Sequence, residues 1–94
     1  MELGKIVGQV VSTARHPRLP RMTFLLVDIV DVDGKVKASN QVAVDSIGAG
    51  MGELVLLTRG SSARMILDGD SPIDLGVIGI VDQITSGQKS LYSK

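Results

Sequence analysis

Three segments of consecutive apolar residues constrain the fold more than any other feature of the chain. They are FLLV at 24–27, LVLL at 54–57 and VIGIV at 77–81. Short apolar runs are typical of strands buried on both faces, because successive side chains of a strand point to opposite sides of the sheet. A small barrel has only one interior. The outward faces must therefore be covered by a short helix, by loops or by a neighbouring subunit, and the shortage of helix in this sequence favours the neighbour.

Short β-prone segments separated by turn residues continue along the whole chain. Strands are predicted at 5–13, 24–32, 41–47, 53–59, 75–84 and, as a short terminal strand, 89–93. Loops are predicted at 14–22 and 68–72, and a tight turn at Asp33–Gly34. Only 60–67 has the character of a helix, of one or two turns.

This pattern predicts an all-β fold. Gly8 interrupts the first strand, as expected for a bulge or bend that a small barrel needs at its corners. Five or six short strands with one brief helix predict a small closed barrel. A chain of 94 residues has room for one domain, so we expect residues 1–94 to form a single unit.

The composition argues against several classes of function. The chain has no cysteine, only one histidine (His16), and equal numbers of acidic and basic residues. Thiolate metal sites and multi-histidine zinc sites are therefore not expected, and no overall charge attracts nucleic acid or an anionic membrane. No apolar run approaches the ~20 residues that span a bilayer, and the first residues lack a signal-peptide pattern. We expect a cytoplasmic protein with no membrane partner.

The glycine-rich stretch after the third strand resembles a phosphate-binding loop only superficially. Its glycines are Gly48, Gly50 and Gly52, and Glu53 follows them. A dinucleotide fingerprint needs a long helix after its glycines, and a P-loop needs Gly-Lys-Ser/Thr. Here the next segment is a predicted strand. These three glycines are therefore interpreted as a structural turn, with no cofactor bound.

The next stretch, Gly60-Ser61-Ser62-Ala63-Arg64, loosely resembles the turn that presents a nucleophilic serine. A serine nucleophile needs a histidine within hydrogen-bond reach, and His16 is far away in a predicted loop. We expect instead that one serine caps the short helix and the other bonds locally. Arg64 is suited to a bidentate contact with a carboxylate or backbone carbonyl, often at an interface. No catalytic residue is predicted.

The loop ARHPRLPR at 14–21 holds three arginines and His16. A barrel of this size could bind nucleic acid, which makes an oligonucleotide- or ligand-binding module the alternative function. Such modules stack bases on exposed aromatics, and this chain has only two aromatic residues. We interpret the loop as a solvated or intersubunit charge patch, matched by three aspartates. They are Asp28, Asp31 and Asp33.

Two acidic pairs, Asp31/Asp33 and Asp68/Asp70, could suggest a metal ion. Each pair lies beside a turn glycine. Turn formation explains aspartates at such positions without an ion. No metal site is predicted.

The combination of these motifs resembles one known family. DSIGAGMGELVLLTRGSSAR at 45–64, continued by SPIDLGVIGIVDQI, closely resembles the EutN/CcmL family of bacterial microcompartment vertex proteins. GKIVGQVVST near the start and SLYSK at the end are also similar to members of that family. The resemblance covers nearly the whole chain.

The resemblance implies a fold, an assembly and a function. The fold would be a five-stranded, OB-like barrel with a short helix, and five copies would form a cyclic pentamer. The pentamer would close the shell of a carboxysome or metabolosome at its vertices, beside hexameric shell proteins. Carried onto this sequence, the three glycines would shape a turn. The residues on or near subunit contacts would be Gly60, Ser61, Ser62 and Arg64.

Overall fold

Strands account for most of the chain in the computed structural model, which describes residues 1–19, 21–66 and 71–94. The elements, in chain order, are β1 (Glu2–Val10), β2 (Thr23–Val30), β3 (Val36–Asp45), β4 (Leu54–Arg59), α1 (Gly60–Arg64), β5 (Leu75–Ile80), β6 (Gln83–Ser86) and β7 (Lys89–Ser93). The predicted all-β fold with one short helix is confirmed. Within the described residues, no helix is both long enough and apolar enough to cross a membrane.

The first five strands close into a barrel, as predicted. Around the barrel the order is β1-β2-β3-β5-β4, and β4 pairs with β1 to complete the circle. All neighbours are antiparallel except β3 and β5, which pair in parallel over a short stretch at Val44–Gly76 and Asp45–Val77. The expected irregularity in the first strand is present, because the register between β1 and β2 shifts between Ile6 and Gly8.

The apolar runs supply the barrel interior through alternate residues. Leu25, Val27 and Ile29 of β2 point inward, and Val55 and Leu57 of β4 meet them. The remaining buried members of this core come from the other strands: Ile6, Ala43, Leu75 and Val77. The interior is thus filled with aliphatic side chains and leaves no internal ligand chamber among these residues.

Part of the outer face is covered by the loop that joins β1 to β2. Phe24, Val44 and Ile73 form a second buried cluster outside the barrel core, and Leu19 and Met22 of the loop pack on it. Elsewhere the outer face remains exposed, with Val42 at 49% and Ile78 at 38% relative exposure. The expected excess of outward apolar surface is therefore present, and the loop covers only part of it.

Several strand boundaries differ from those predicted; β2, for example, ends at Val30 and not at 32. The third strand begins at Val36, not at 41. Its first half did not show in the sequence because most of it is exposed and only Ala38 packs against the core. The backbone is irregular at Asn40, where φ is 56°. The N–H of Asn40 donates to the Asp28 carboxylate of β2 at 2.9 Å, which ties this half to β2. The first strand covers 2–10 and not 5–13.

The predicted strand 75–84 is divided into β5 and β6. After Ile80 the chain leaves the barrel, and β6 pairs with β7 in a hairpin that turns at Gly87, with φ of 61°. Among the described strands, β6 and β7 pair only with each other. The molecule measures 47 Å along its longest axis and 23 by 21 Å across. A nine-residue strand such as β1 accounts for only about 30 Å of length, so the shape is elongated relative to a bare barrel.

Candidate functional site

The buried carboxylate of Asp45 accepts hydrogen bonds from the glycine turn, residues 46–53. One carboxylate oxygen accepts the N–H of Ile47 at 3.1 Å, and the other accepts the N–H of Ala49 at 2.9 Å. Asp45 itself is only 5% exposed at the end of β3. Its two oxygens therefore fix the first half of the turn through bonds that are stronger than those between neutral groups.

Glu53 holds the second half of the same turn. Its Oε1 accepts the N–H of Gly50 at 2.6 Å, while the N–H of Glu53 donates to the carbonyl of Gly50 at 3.1 Å. The turn is also tied to β1, because Gly52 donates to the Ile6 carbonyl at 2.9 Å and Ile6 donates to the Glu53 carbonyl at 3.0 Å. Five backbone N–H groups of residues 46–53 are thus bonded within the chain, as expected in a structural turn.

Two of the three glycines adopt a backbone conformation that other residues rarely adopt. Gly48 has φ of 84° and Gly52 has φ of 80°, and a Cβ atom at either position would meet no heavy atom within 4 Å. Conformation and not space therefore requires glycine at these two positions. Gly50 does not have a positive φ.

Substitution of Gly52 should consequently cost stability through the backbone alone. We expect Gly52→Ala to lower the free energy of unfolding by roughly 1–2 kcal/mol, because alanine is strained at positive φ. The same substitution at Gly50 is the matched control, with an expected cost under about 0.5 kcal/mol. Urea denaturation of both variants at one protein concentration measures the difference. Equal costs at the two positions would contradict this account.

An ion pair connects the glycine turn to Lys94. The Lys94 ammonium lies 2.5 Å from Oε2 of Glu53 and 3.9 Å from Asp82, and the Lys94 N–H donates to the Asp82 carbonyl at 2.8 Å. The hydrogen bond from Lys94, followed by that from Gly50, lowers the pKa of Glu53 below 4.5. The bond to Glu53 raises the pKa of Lys94 above 10.5.

These two shifts define a pH window for the ion pair. Because the pKa of Glu53 is lower in the folded protein, the carboxylate stabilises the fold at pH values above 4.5, its pKa in the unfolded chain. This contribution is lost as the pH falls through the pKa of the folded state. A raised ammonium pKa contributes below 10.5, and that contribution is lost as pH rises through the folded pKa. We expect Glu53→Gln to be less stable than the wild type at pH 7, and we expect this difference to shrink as the pH falls below 4.5. A difference that stays the same size throughout an acid titration would contradict the prediction.

The short helix α1 follows β4 directly and begins at Gly60, with φ of 63°. The N–H of Gly60 donates to the Asp74 carbonyl at 2.9 Å, which joins the helix to the chain just before β5. Arg59 occupies the N-cap position and no side chain caps the helix, so the expected serine cap is wrong. The helix starts one residue before Ser61, which places both serines inside its first turn.

The helix places the predicted interface residues in different environments. Ala63 is fully buried, and Arg64 is half-buried and donates to the Ile73 carbonyl at 3.3 Å. Ser61 and Ser62 are exposed, and their hydroxyls have no hydrogen-bond partner among the described residues. Arg64 therefore anchors the helix to the segment before β5. A contact between these residues and another subunit remains a prediction.

The basic loop is organised around Arg15. Its Nε donates to the Ser12 carbonyl at 2.6 Å, and its guanidinium carbon lies 4.7 Å from the centre of the Phe24 ring. His16 lies in the same loop, where its Nδ1 accepts the N–H of Arg18 at 3.1 Å. Within the described residues, neither exposed serine of α1 bonds to His16. The structure thus brings together no serine and histidine pair there.

Within one chain, the three aspartates do not lie against this loop, and the expected match between subunits stays a prediction. Asp28 bonds to Asn40, and Asp31 accepts the N–H groups of Asp33 and Lys35 at 2.9 Å each. The loop joins β2 at Thr23, whereas the aspartates lie toward and beyond Val30, at the other end of the strand. The turn interpretation of the Asp31/Asp33 pair is confirmed, while Asp68 and Asp70 lie outside the described residues. No group of three potential metal ligands occurs in the described parts of the chain.

Asp45 was not singled out from the sequence, although a signal for it exists. It ends an alternating strand and precedes Ser46 and the first glycine, a position where an aspartate typically bonds to backbone N–H groups further along the turn. Glu53 and Lys94 were missed as a pair for a different reason. They are 41 residues apart, and only the fold brings them together.

The fold and the site together define a class of protein. It is a small structural barrel in which glycines, carboxylates and a short arginine-anchored helix build the backbone geometry. No buried side-chain nitrogen or oxygen among the described residues lacks a hydrogen-bond partner. The hydrogen bonds and ion pairs of this site support the backbone, which is a structural role.

Comparison with known proteins agrees with this class. Residues 1–82 match the family described as ethanolamine utilisation protein EutN/carboxysome. The bacterial microcompartment shell vertex protein EutN of Salmonella typhimurium is 46% identical over all of this chain and 96% of that protein. A solved structure of ethanolamine utilization protein EutN has a TM-score of 0.92 at 45% identity, covering 100% of this chain and 99% of that one.

A second solved structure adds the assembly. The GrpN pentameric microcompartment shell protein from Rhodospirillum rubrum has a TM-score of 0.82 at 42% identity, covering 92% of this chain and 99% of that one. The chain belongs to the EutN/CcmL family. It is accordingly a structural protein of the microcompartment shell and not an enzyme.

Proposed function

We propose that five copies of this chain form a closed ring that occupies the vertices of a polyhedral microcompartment shell, with hexameric shell proteins around it. The observation that carries the ring is the presence of two separate apolar patches on the outside of one barrel. A cyclic ring uses a heterologous interface, in which two different patches of the same subunit meet. A barrel with only one such patch would form a symmetric dimer.

The first patch lies beside the terminal hairpin. A groove of about 540 Å³ runs between the barrel and β6, and its apolar lining comes mainly from four residues. They are Leu3, Leu56, Ile80 and Ile84. All four are half-buried in the isolated chain. A neighbouring subunit that filled this groove would also support the hairpin, since an isolated two-stranded hairpin is only marginally stable in water.

The second patch lies on the side of β2 and β3. Val42, Pro72 and Ile73 border a groove of about 250 Å³, and Val42 is 49% exposed. This groove also reaches Val10 and Leu75, which lie at the opposite ends of β1 and β5 from Leu3 and Ile80 of the first patch. The two patches therefore lie toward different ends of the barrel, as a heterologous interface allows.

The role at vertices follows from geometry and from the named relatives. Hexagonal tiles alone form flat sheets, so a closed polyhedron needs five-fold positions. The similar EutN of Salmonella typhimurium is named a shell vertex protein, and the similar GrpN is named a pentameric shell protein. A ring of five copies of this chain supplies the missing five-fold unit, and its contacts with hexamers would lie along the rim of the ring.

Native mass spectrometry of the purified chain tests the ring. We expect a dominant species of five subunits at low micromolar concentration, because each subunit of the ring makes two contacts. Such contacts typically bury ~800 Å² per partner. A spectrum dominated by monomer or dimer would overturn the vertex proposal.

Co-expression with a hexameric shell protein tests the role at vertices. Electron microscopy should show closed polyhedra when both proteins are present and open sheets, tubes or particles with vacant vertices when this chain is omitted. Identical assemblies with and without the chain would overturn the proposed role while leaving the ring intact.

A further inference from the structure

The turn between β2 and β3 contains an aspartate followed by a glycine, Asp33–Gly34, and both residues are exposed. An aspartate in this position is the one that most readily rearranges to isoaspartate, because glycine has no Cβ atom to hinder access to its nitrogen. The carboxyl group of Asp33 makes no hydrogen bond or ion pair among the described residues. It is therefore available for this rearrangement.

Isoaspartate formation is an internal reaction that needs only water. The nitrogen of Gly34 would lose its proton and attack Cγ of Asp33, the Cγ–O bond would break, and one water molecule would leave as a five-membered imide closes. Water then adds to one of the two imide carbonyls. Addition at the main-chain carbonyl carbon breaks its bond to the nitrogen, so the chain runs through Cγ. The mass of the chain is unchanged, and its backbone is one carbon longer.

Asp31 accepts hydrogen bonds from the peptide groups on both sides of the Asp33 Cα atom. Its Oδ1 accepts the N–H of Asp33 at 2.9 Å, and its backbone carbonyl accepts the N–H of Gly34 at 3.0 Å. The second bond engages the proton that the Gly34 nitrogen has to lose before it attacks Cγ. A hydrogen-bonded amide proton is removed only after the bond opens, so this bond slows the first step.

The conformation of the turn also keeps the Gly34 nitrogen out of the imide geometry. The bond from Gly34 to the Asp31 carbonyl closes a four-residue turn, and neither Val32 nor Asp33 has a positive φ. These features define a type I turn, in which ψ of the third residue is about 0°. An imide ring needs the glycine nitrogen, the carbonyl carbon, Cα and Cβ of the aspartate in one plane, and a ψ near zero places Cβ outside that plane.

Asp31 also bonds to the far side of the turn. Its Oδ1 accepts the N–H of Lys35 at 2.9 Å, and its own N–H donates to the Lys35 carbonyl at 3.0 Å. The turn can therefore change conformation only if several bonds to one residue open together. We propose that Asp33–Gly34 is a latent isoaspartate site and that Asp31 keeps it unreactive while the hairpin is folded.

Protection of this turn matters for the first half of β3. That half is mostly exposed and is held by pairing with β2, which begins beside the turn at Val30 and Val36. An isoaspartate at residue 33 would lengthen the backbone between these two partners and displace the peptide groups that bond to Asp31. The rearrangement would thus weaken the pairing from the turn inward. The proposal does not depend on the ring or on the shell.

Storage of the full chain at neutral pH, followed by tryptic peptide mapping, tests the proposal. Trypsin releases residue 33 in the peptide 22–35 and the second aspartate–glycine pair, Asp68–Gly69, in the peptide 65–89, so enzymatic methylation of isoaspartate reports each site separately. In the peptide 22–35 we expect isoaspartate to accumulate at least roughly tenfold more slowly in the folded chain than in guanidinium chloride, because folded chains must first break hydrogen bonds. Equal rates would overturn the protection, and a peptide 22–35 without isoaspartate after unfolding would overturn the site.

Two variants and a matched control assign the protection to Asp31. In the folded state, Asp31→Ala should form isoaspartate at residue 33 roughly tenfold faster than the wild type, whereas Asp31→Asn keeps an oxygen acceptor and should stay close to it. Asp28→Ala removes another carboxylate of the same hairpin, one that bonds to Asn40 and to no group of the turn, and should leave the rate unchanged. Circular dichroism verifies that each variant is folded. An unchanged rate in Asp31→Ala, or an equal acceleration in Asp28→Ala, would overturn the role of Asp31.

Discussion

Asp45→Ala should destabilise the barrel by roughly 2–5 kcal/mol, because two backbone N–H groups lose a charged acceptor in a buried place. Asp45 is 5% exposed and accepts from both Ile47 and Ala49. The substitution removes both bonds, and alanine offers no replacement. Urea denaturation at a fixed protein concentration measures the loss, with the concentration held constant because the stability of an oligomer depends on it.

Two further variants separate this bonding role from a general effect of charge. Asp45→Asn keeps one oxygen acceptor, so it should recover part of the stability that Asp45→Ala loses. Asp33→Ala removes a carboxylate from an exposed position, and we expect it to change stability by less than about 0.5 kcal/mol. If Asp45→Ala unfolded at the same urea concentration as the wild type, the turn would not depend on this carboxylate.

The apolar runs predicted most of the barrel because they report directly on burial. FLLV lies near the start of β2 and LVLL is the start of β4, and the inward residues of both runs belong to the core. The first half of β3 was missed because Val36–Asn40 is mostly exposed, with only Ala38 half-buried, so pairing with β2 imposes its strand conformation. Local sequence patterns carry little information about strands of that kind.

The break between β5 and β6 also depends on tertiary contacts. The apolar pattern continues through Val81, whose N–H donates to the Leu54 carbonyl at 2.8 Å as the last bond to β4. Asp82 then bonds to Lys94 and starts the hairpin. Nothing in VIGIVDQI itself marks that change of partner, so a single strand was the natural prediction.

The site was predictable as chemistry but not as geometry. The absence of a helix after the glycines was enough to argue against a phosphate loop, and the structure shows that Asp45, Glu53 and Ile6 accept hydrogen bonds from the turn. The predicted start of the helix at residue 60 is correct, but the expected serine cap is not, because Arg59 occupies the N-cap position and no side chain caps the helix. The five-fold symmetry came from the family resemblance alone, because small changes in interface angle select the size of a ring.

Arg64→Ala should weaken the proposed ring more than it weakens the barrel. Among the described residues, Arg64 makes one long hydrogen bond, at 3.3 Å to the Ile73 carbonyl, and a guanidinium carries several N–H donors. Ser61 and Ser62 are exposed beside it on α1. If the helix contacts a neighbouring subunit, removal of this desolvated charged group should cost ~2–5 kcal/mol of association. Sedimentation velocity at low micromolar concentration should then show dissociation into smaller species.

Arg59→Ala is the matched control, because Arg59 lies five residues earlier in the sequence and forms an ion pair with Glu2 on the surface of the same chain. Exposed pairs of this kind contribute ~0–1 kcal/mol, so this variant should remain a ring. Arg64→Lys should fall between the wild type and Arg64→Ala, since lysine keeps the charge but loses the planar fork of donors. An Arg64→Ala protein that sediments as an intact ring with an unchanged barrel would show that α1 does not hold the subunits together. The interface would then have to be sought at the groove beside the β6–β7 hairpin, where Leu56→Asp is the variant to make.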